Sequence, residues 1–189
     1  MKPIRVRKHL RRREPALYTP YTGLEARRAG LSSERDTRAW LRRTFPGDRF
    51  KDPTREEDEQ WDIDVWWNDV PYSIKTQGKA LETGNLSFEL RKMDRNGQWQ
   101  DSWFYRGQAK VYIVRFGKRV GIIHKDAFVR FIQAHGFERT TRNSEAIVRR
   151  EMASGNPFVN AESGLIGIKR LEAEELITYL PNDLPAVMD

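Results

Sequence analysis

The sequence predicts an α/β fold, with a mixed central sheet flanked by helices. Three observations predict it. Polar and apolar residues alternate in short runs between 61 and 91, the mark of half-buried strands. A more continuously apolar run at 109–116 suits a central strand, and apolar stripes at helical spacing lie on either side of these runs. The 189 residues suit one domain with a sizeable core. We expect that domain at 31–189, after a basic and mostly irregular arm at 1–30. Hydrophobic residues are 38% and charged residues 32%, which excludes a disordered chain and a membrane protein. The absence of cysteine excludes disulfide scaffolds, thiolate zinc sites and cysteine nucleophiles.

Pro3, Pro15, Pro20, Gly23 and Gly30 punctuate the arm, and Tyr18 and Tyr21 are candidates to dock it on the body. The first helix is predicted at 34–45. Ser33 serves as N-cap, with Asp36 completing a capping-box variant. Thr37, Leu41 and Phe45, with Trp40 beside them, form its inward stripe. Extended back one turn, the stripe reaches Glu34 at the inward-facing start. Pro46-Gly47 stops the helix. Residues 61–67 (WDIDVWW) and 70–76 (VPYSIKT) then alternate about the turn signal Asn68-Asp69, which predicts a β-hairpin. A two-residue loop sets Trp67 opposite Val70, Asp64 opposite Ser73 and Asp62 opposite Lys75. Asp62, Asp64, Ser73, Lys75 and Gln77 therefore share one face, and Ile63, Val65, Trp67, Val70, Tyr72 and Ile74 the other.

A third strand at 85–91 repeats the pattern, with Leu86, Phe88 and Leu90 against Ser87, Glu89 and Arg91. It is expected to extend the same polar face. After a Trp-rich loop at 97–105 come strands at 109–116 and 120–124. Helices follow at 126–135 and 145–153, then a short strand at 165–168 and a closing helix at 172–180.

The net charge is +7. Lys2, Arg5, Arg7, Lys8, Arg11, Arg12 and Arg13 account for all of it, so the rest of the chain sums to zero. Residues 52–64 hold seven Asp/Glu against Arg55 alone. The arm suits phosphate and the acidic cluster suits a cation. A solubilising tail and a solvated loop would explain the same two segments.

Two carboxylates two residues apart on a strand point the same way, roughly 7 Å apart. They can bracket a hard cation such as Mg²⁺. A lysine opposite them can balance charge on a phosphoryl transition state, and Glu89 on a neighbouring strand can add a third oxygen. Such a face equips a protein for metal-assisted phosphodiester hydrolysis. The competing reading is a solvated sheet face with cross-strand ion pairs such as Asp62–Lys75. Under the nuclease reading Lys75→Ala is expected to abolish cleavage and leave folding intact, because replacing a surface polar residue costs little stability. Gln77 continues the face towards any substrate. Trp99, Trp103 and Tyr105 either stack on bases or pack in the core. His9, His124 and His135 lack metal-ligand spacing, and no Gly-rich phosphate loop is present.

Glu34 on its helix, Asp62 and Asp64, the hairpin and Ser73-Ile74-Lys75 together resemble the PD-(D/E)xK nuclease superfamily over roughly residues 33–135. The Gly-Asn-Leu-x-x-Glu segment at 84–89 and the Trp/Tyr loop resemble its small virus and prokaryotic members. The resemblance implies a restriction-endonuclease-like αβββαβ core and a Mg²⁺- or Mn²⁺-dependent nuclease, with DNA the favoured substrate. It implies catalytic Asp64, Lys75, Asp62 and Glu34, and a metal on Asp64, Asp62 and Glu89. Gln77 and the basic arm would contact nucleic acid. A homodimer is compatible with this type. The sequence departs from the pattern at Ser73, which stands where the family carries a carboxylate. Asp64 is then the motif aspartate, directly opposite Ser73, and Asp62 the substitute ligand. The same departure supports an alternative. In that alternative the chain would be a catalytically inactive nuclease fold that binds nucleic acid or serves as a viral structural or assembly component. No apolar stretch follows the N-terminal charges, so we expect no membrane partner and a cytoplasmic protein, in the host cytoplasm if viral.

Overall fold

The computed structural model describes residues 23–181, with side chains from residue 30 onward. Lys2, Arg5, Arg7, Lys8, Arg11, Arg12 and Arg13, with Tyr18 and Tyr21, lie outside the described residues. The element order is α1 (Gly23–Thr44), β1 (Phe50–Lys51), α2 (Arg55–Trp61), β2 (Val65–Trp67), β3 (Val70–Thr76), α3 (Ala80–Thr83), β4 (Asn85–Asp94), β5 (Trp99–Asp101) and α4 (Trp103–Arg106). It continues with β6 (Val111–Phe116), β7 (Arg119–His124), α5 (Lys125–His135), β8 (Arg139–Arg142), α6 (Glu145–Ser154), β9 (Phe158–Gly167), α7 (Ile168–Ala173) and β10 (Thr178–Tyr179).

The fold is α/β, with a mixed sheet and flanking helices. Helix α1 starts about three turns earlier than expected, so 23–30 is helical and Ser33 is internal rather than a cap. Leu, Glu, Ala and Arg dominate that stretch, and their propensity outweighs the roughly 1 kcal/mol cost of Gly30. The inward stripe is as predicted, with Thr37, Trp40 and Leu41 buried. Ser33 docks the helix instead: its hydroxyl lies 2.5 Å from that of Thr76 on β3.

The hairpin forms in the predicted register, Trp67 opposite Val70 and Val65 opposite Tyr72. Its first arm is shorter than expected. Residues 55–61 form α2, started by a complete Thr54–Glu57 capping box. That charge-rich helix buries none of its side chains, so no apolar stripe announced it.

Strand β4 does not extend this sheet, which corrects the expectation of three successive paired strands. The other neighbour of β3 is β6, parallel to it, with Ser73 beside Tyr112 and Lys75 beside Val114. The six-stranded sheet runs β1-β2-β3-β6-β7-β10, and a separate four-stranded sheet runs β5-β4-β9-β8. Alternation fixes which residues share a face, not which sheet a strand joins. At the C-terminal end, α7 and β10 replace the predicted helix at 172–180. Glu175 takes a left-handed φ of 53°, which ends α7, and Leu180 N–H then bonds the Val120 carbonyl at 2.9 Å.

One core cluster, Trp40, Leu41, Val65, Trp67, Ile74, Ile113 and Val120, joins α1 to one face of the six-stranded sheet. The larger cluster joins the other face, through Tyr112, Val114 and Phe116, to Leu86, Phe88 and Ile166 of the second sheet. Ser73 and Lys75, as ladder neighbours of Tyr112 and Val114, therefore face the second sheet rather than open solvent.

Candidate active site

The polar face of the hairpin is largely buried. Asp64 is 5% exposed and Ser73 fully covered, so the reading of this face as solvated is corrected. The site is assembled from three local devices. Asp62 is the left-handed C-cap of α2 (φ 55°), which turns its carboxylate back over β3. Ser73 has one hydroxyl proton and faces two carboxylates, Asp62 Oδ2 at 2.7 Å and Asp64 Oδ2 at 3.1 Å. Lys75, two residues further along the same face, donates to Asp62 Oδ1 at 2.6 Å. Asp64 is held by the Ile74 N–H at 2.5 Å, and its own carbonyl accepts from Arg38 of α1 at 3.2 Å.

The electrostatics follow from this crowding. Burial raises the Asp64 pKa, Asp62 adds to the rise, and Lys75 opposes it. Burial works against the charge on Lys75, but Asp62 and Asp64 more than offset it and hold its pKa above the ordinary lysine value. Glu34 is pushed up to about 7 by burial, with the charge of Asp64 adding to the effect. The structure thus brings together Asp62, Asp64, Ser73, Lys75 and Glu34.

No protein-family model, curated protein or solved structure matches this chain. The geometry therefore carries the functional argument by itself.

Two predicted residues take other places. Glu89 sits on β4 of the second sheet, where its carboxylate accepts from the Ser102 hydroxyl. The structure does not bring it to Asp62 and Asp64, and among the described residues no group of three or more His, Cys, Asp or Glu is gathered for a metal. The side-chain amide of Gln77 is engaged in both directions by the backbone of Ser87, at 2.8 and 3.0 Å, and so ties β3 to β4. Among the described residues no helix is long and apolar enough to cross a membrane.

Four further neighbours complete the site, of which the sequence had singled out Trp103 alone, as a residue that stacks on bases or packs in the core. Trp103 covers Lys75, whose Nζ lies 4.5 Å from the ring centroid. Tyr112 stands beside Ser73 on the adjacent strand with its hydroxyl buried and unpartnered; burial raises its pKa and the charge of Asp62 adds to that. Lys125 at the start of α5 donates to the Gly107 carbonyl. Burial lowers its pKa and Asp62 partly restores it. A Cβ on Gly107 would lie 2.6 Å from the Trp103 carbonyl oxygen and 3.2 Å from Asp62 Cβ, so only glycine permits this approach.

Proposed function

We propose that this chain is a Mg²⁺- or Mn²⁺-dependent nuclease that hydrolyses phosphodiester bonds, with DNA the favoured substrate. The observation that carries the reading is the convergence of Asp62, Asp64 and Lys75 around Ser73 on one buried face. The chain order supports a restriction-endonuclease-like core. A helix with an inward acid is followed by a hairpin bearing acids before its first strand and a lysine on its second. A crossover then leads to a parallel strand.

The donor set fits a hard cation. Mg²⁺ commonly takes only one or two protein carboxylates and completes its shell with water and substrate phosphate. Asp62 and Asp64 supply those two, so Glu89 is not required. Three carboxyls around one lysine, with Glu34 and Asp64 both raised, also mark a site short of positive charge. When bound, the cation would make a water more acidic and stabilise charge on the phosphoryl group. Lys75, held protonated by Asp62, would neutralise charge growing on the phosphoryl oxygens as water adds to phosphorus and the ester oxygen leaves. Glu34, with a pKa of about 7, can accept and release a proton at neutral pH.

A second reading rests on Ser73 and on the closed bonding of Asp62, whose two oxygens are already engaged. In that reading the fold binds nucleic acid without cutting it. The deciding experiment offers single-stranded, duplex and branched DNA, and RNA, with Mg²⁺ or Mn²⁺. We expect cleavage by the wild type and a loss of at least about 100-fold in Lys75→Ala and Asp64→Asn. Intact substrates throughout would leave only the binding reading.

The arm has its own expectation. If about four of its seven basic side chains engage phosphate, deleting residues 2–13 should flatten the slope of log K against log salt by about 3 to 4 on duplex DNA. Equal slopes in a salt titration would remove the arm from the interface.

A further inference from the structure

Helix α4 separates two clefts. One, of about 140 Å³, is lined by Asp62, Trp103, Arg106 and Gly107 among others and opens beside the site just described. The other, of about 320 Å³, is lined by Phe104, Tyr105, Lys125, Asp126, Val129 and Arg130. That volume lies in the range of small-ligand sites, about 300–1,000 Å³. Its aromatic wall is Phe104 and Tyr105, and the other aromatics of the 97–105 stretch are engaged elsewhere. Trp103 is packed against Phe104 and Tyr112 beneath Lys75, and Trp99 has the guanidinium groups of Arg91 and Arg142 within 5.6 and 5.1 Å. Tyr105 alone of the loop aromatics is largely open, at 55% exposed, and is braced at 81° against Phe104. Its cleft carries two cations, Lys125 and Arg130, against one acid, Asp126. Lys125 also ties the two clefts together: its Nζ bonds the Gly107 carbonyl, and Gly107 abuts Asp62.

We propose that the cleft between α4 and α5 is a nucleotide subsite for an unpaired stretch of the substrate strand, in which Tyr105 stacks on a base and Lys125 and Arg130 receive its phosphate. An exposed ring stacks only on a base whose face is free, and sequence-tolerant stacking beside a cationic wall is how single strands are held. The subsite lies across α4 from the cleft that Asp62 lines and is linked to it through Lys125 and Gly107, and the proposal rests on the nuclease reading for its substrate.

The test is anisotropy titration of the full chain with a labelled thymidine oligonucleotide and with a duplex of equal length, in EDTA so that cleavage plays no part. Tyr105→Ala should weaken single-strand binding about tenfold and leave the duplex unchanged, and Tyr105→Phe should bind as the wild type does. Arg130→Ala should reduce the single-strand salt slope by about 0.7. Unchanged single-strand binding by Tyr105→Ala, an equal loss on both substrates, or no single-strand binding by the wild type would each overturn the subsite. The expected binding losses in a protein that cuts nothing with Mg²⁺ would support the subsite and overturn the nuclease reading alone.

Discussion

Two carboxylate–cation clusters in this molecule use similar groups in opposite surroundings. At the hairpin of the six-stranded sheet, Asp62 and Asp64, just before β2, meet Ser73 and Lys75 of β3 on the face turned towards the second sheet. In the four-stranded sheet, Glu162 lies between Arg91 at 2.8 Å and Arg142 at 2.6 Å, arginines that are 42% and 57% exposed. At the first cluster burial leads, and the Asp64 and Glu34 carboxyls are raised. At the second the Arg91 hydrogen bond leads, Arg142 adds to it, and Glu162 is held below the usual carboxylate range. One cluster keeps acids that are reluctant to ionise beside a single lysine. The other simply staples β4, β9 and β8. A pair count would treat them alike; their opposite pKa shifts separate a candidate site from a fastener.

The comparison can be broken most directly at Lys75. In Lys75→Ala the carboxylates of Asp62 and Asp64 lose the charge that compensates them. We expect a cost of about 3 kcal/mol, or a fall in Tm of roughly 6–12 °C for a chain of this size. That differs from the small cost expected of a solvent-facing sheet lysine, and a calorimetric fall of under about 1 kcal/mol would return this face to the surface class.

The two clusters should next diverge with pH. The pKa of Glu34 rises on folding from 4.5 to about 7, so the folded state binds the extra proton. The stability from this group is full below 4.5 and is lost as pH climbs to about 7. Denaturant midpoints of Glu34→Gln should lack that decline. A decline of the same size in the variant would show that Glu34 is not its source.

Glu162 should behave in the reverse sense and more weakly. Its pKa is depressed on folding, so its stabilisation is present above the ordinary glutamate value and disappears as the medium becomes acidic. Glu162→Gln should cost about 1 kcal/mol near neutrality, less in high salt, and leave any cleavage unchanged. A cleavage defect without a stability defect would move Glu162 out of the structural class.

The local parts of the site were legible in the sequence. Alternation on either side of Asn68-Asp69 fixed the register that sets Asp64, Ser73 and Lys75 on one face, because the side-chain period in a strand is two. The stripe through Thr37 and Leu41 placed Glu34 inward for the same kind of reason. The Thr54–Glu57 capping box marks a helix start that the sequence reading did not use, because the helix it opens buries no side chain and so carries no apolar stripe. What local pattern could not encode was which strands become neighbours. The departure of β4 to a second sheet carried Glu89 away, and the pairing of β3 with β6 brought in Tyr112, an apparent core residue. Lys125 arrives from 50 residues beyond Lys75 and has no spacing relation to it.

The interleaving of the two sheets along the chain has a consequence for how the molecule comes apart. The polypeptide visits the six-stranded sheet, then the four-stranded one, and returns to each before ending on β10. No single cut divides it into fragments that each own a whole sheet. A nick in the turn at Gly117-Lys118 leaves both fragments with strands from both sheets. The hairpin that holds Asp64 and Lys75 can close locally within microseconds, but its parallel partner must wait for the 77–110 crossover to be drawn in. Refolding should therefore be limited by that long-range closure, and unfolding should release both sheets in one transition.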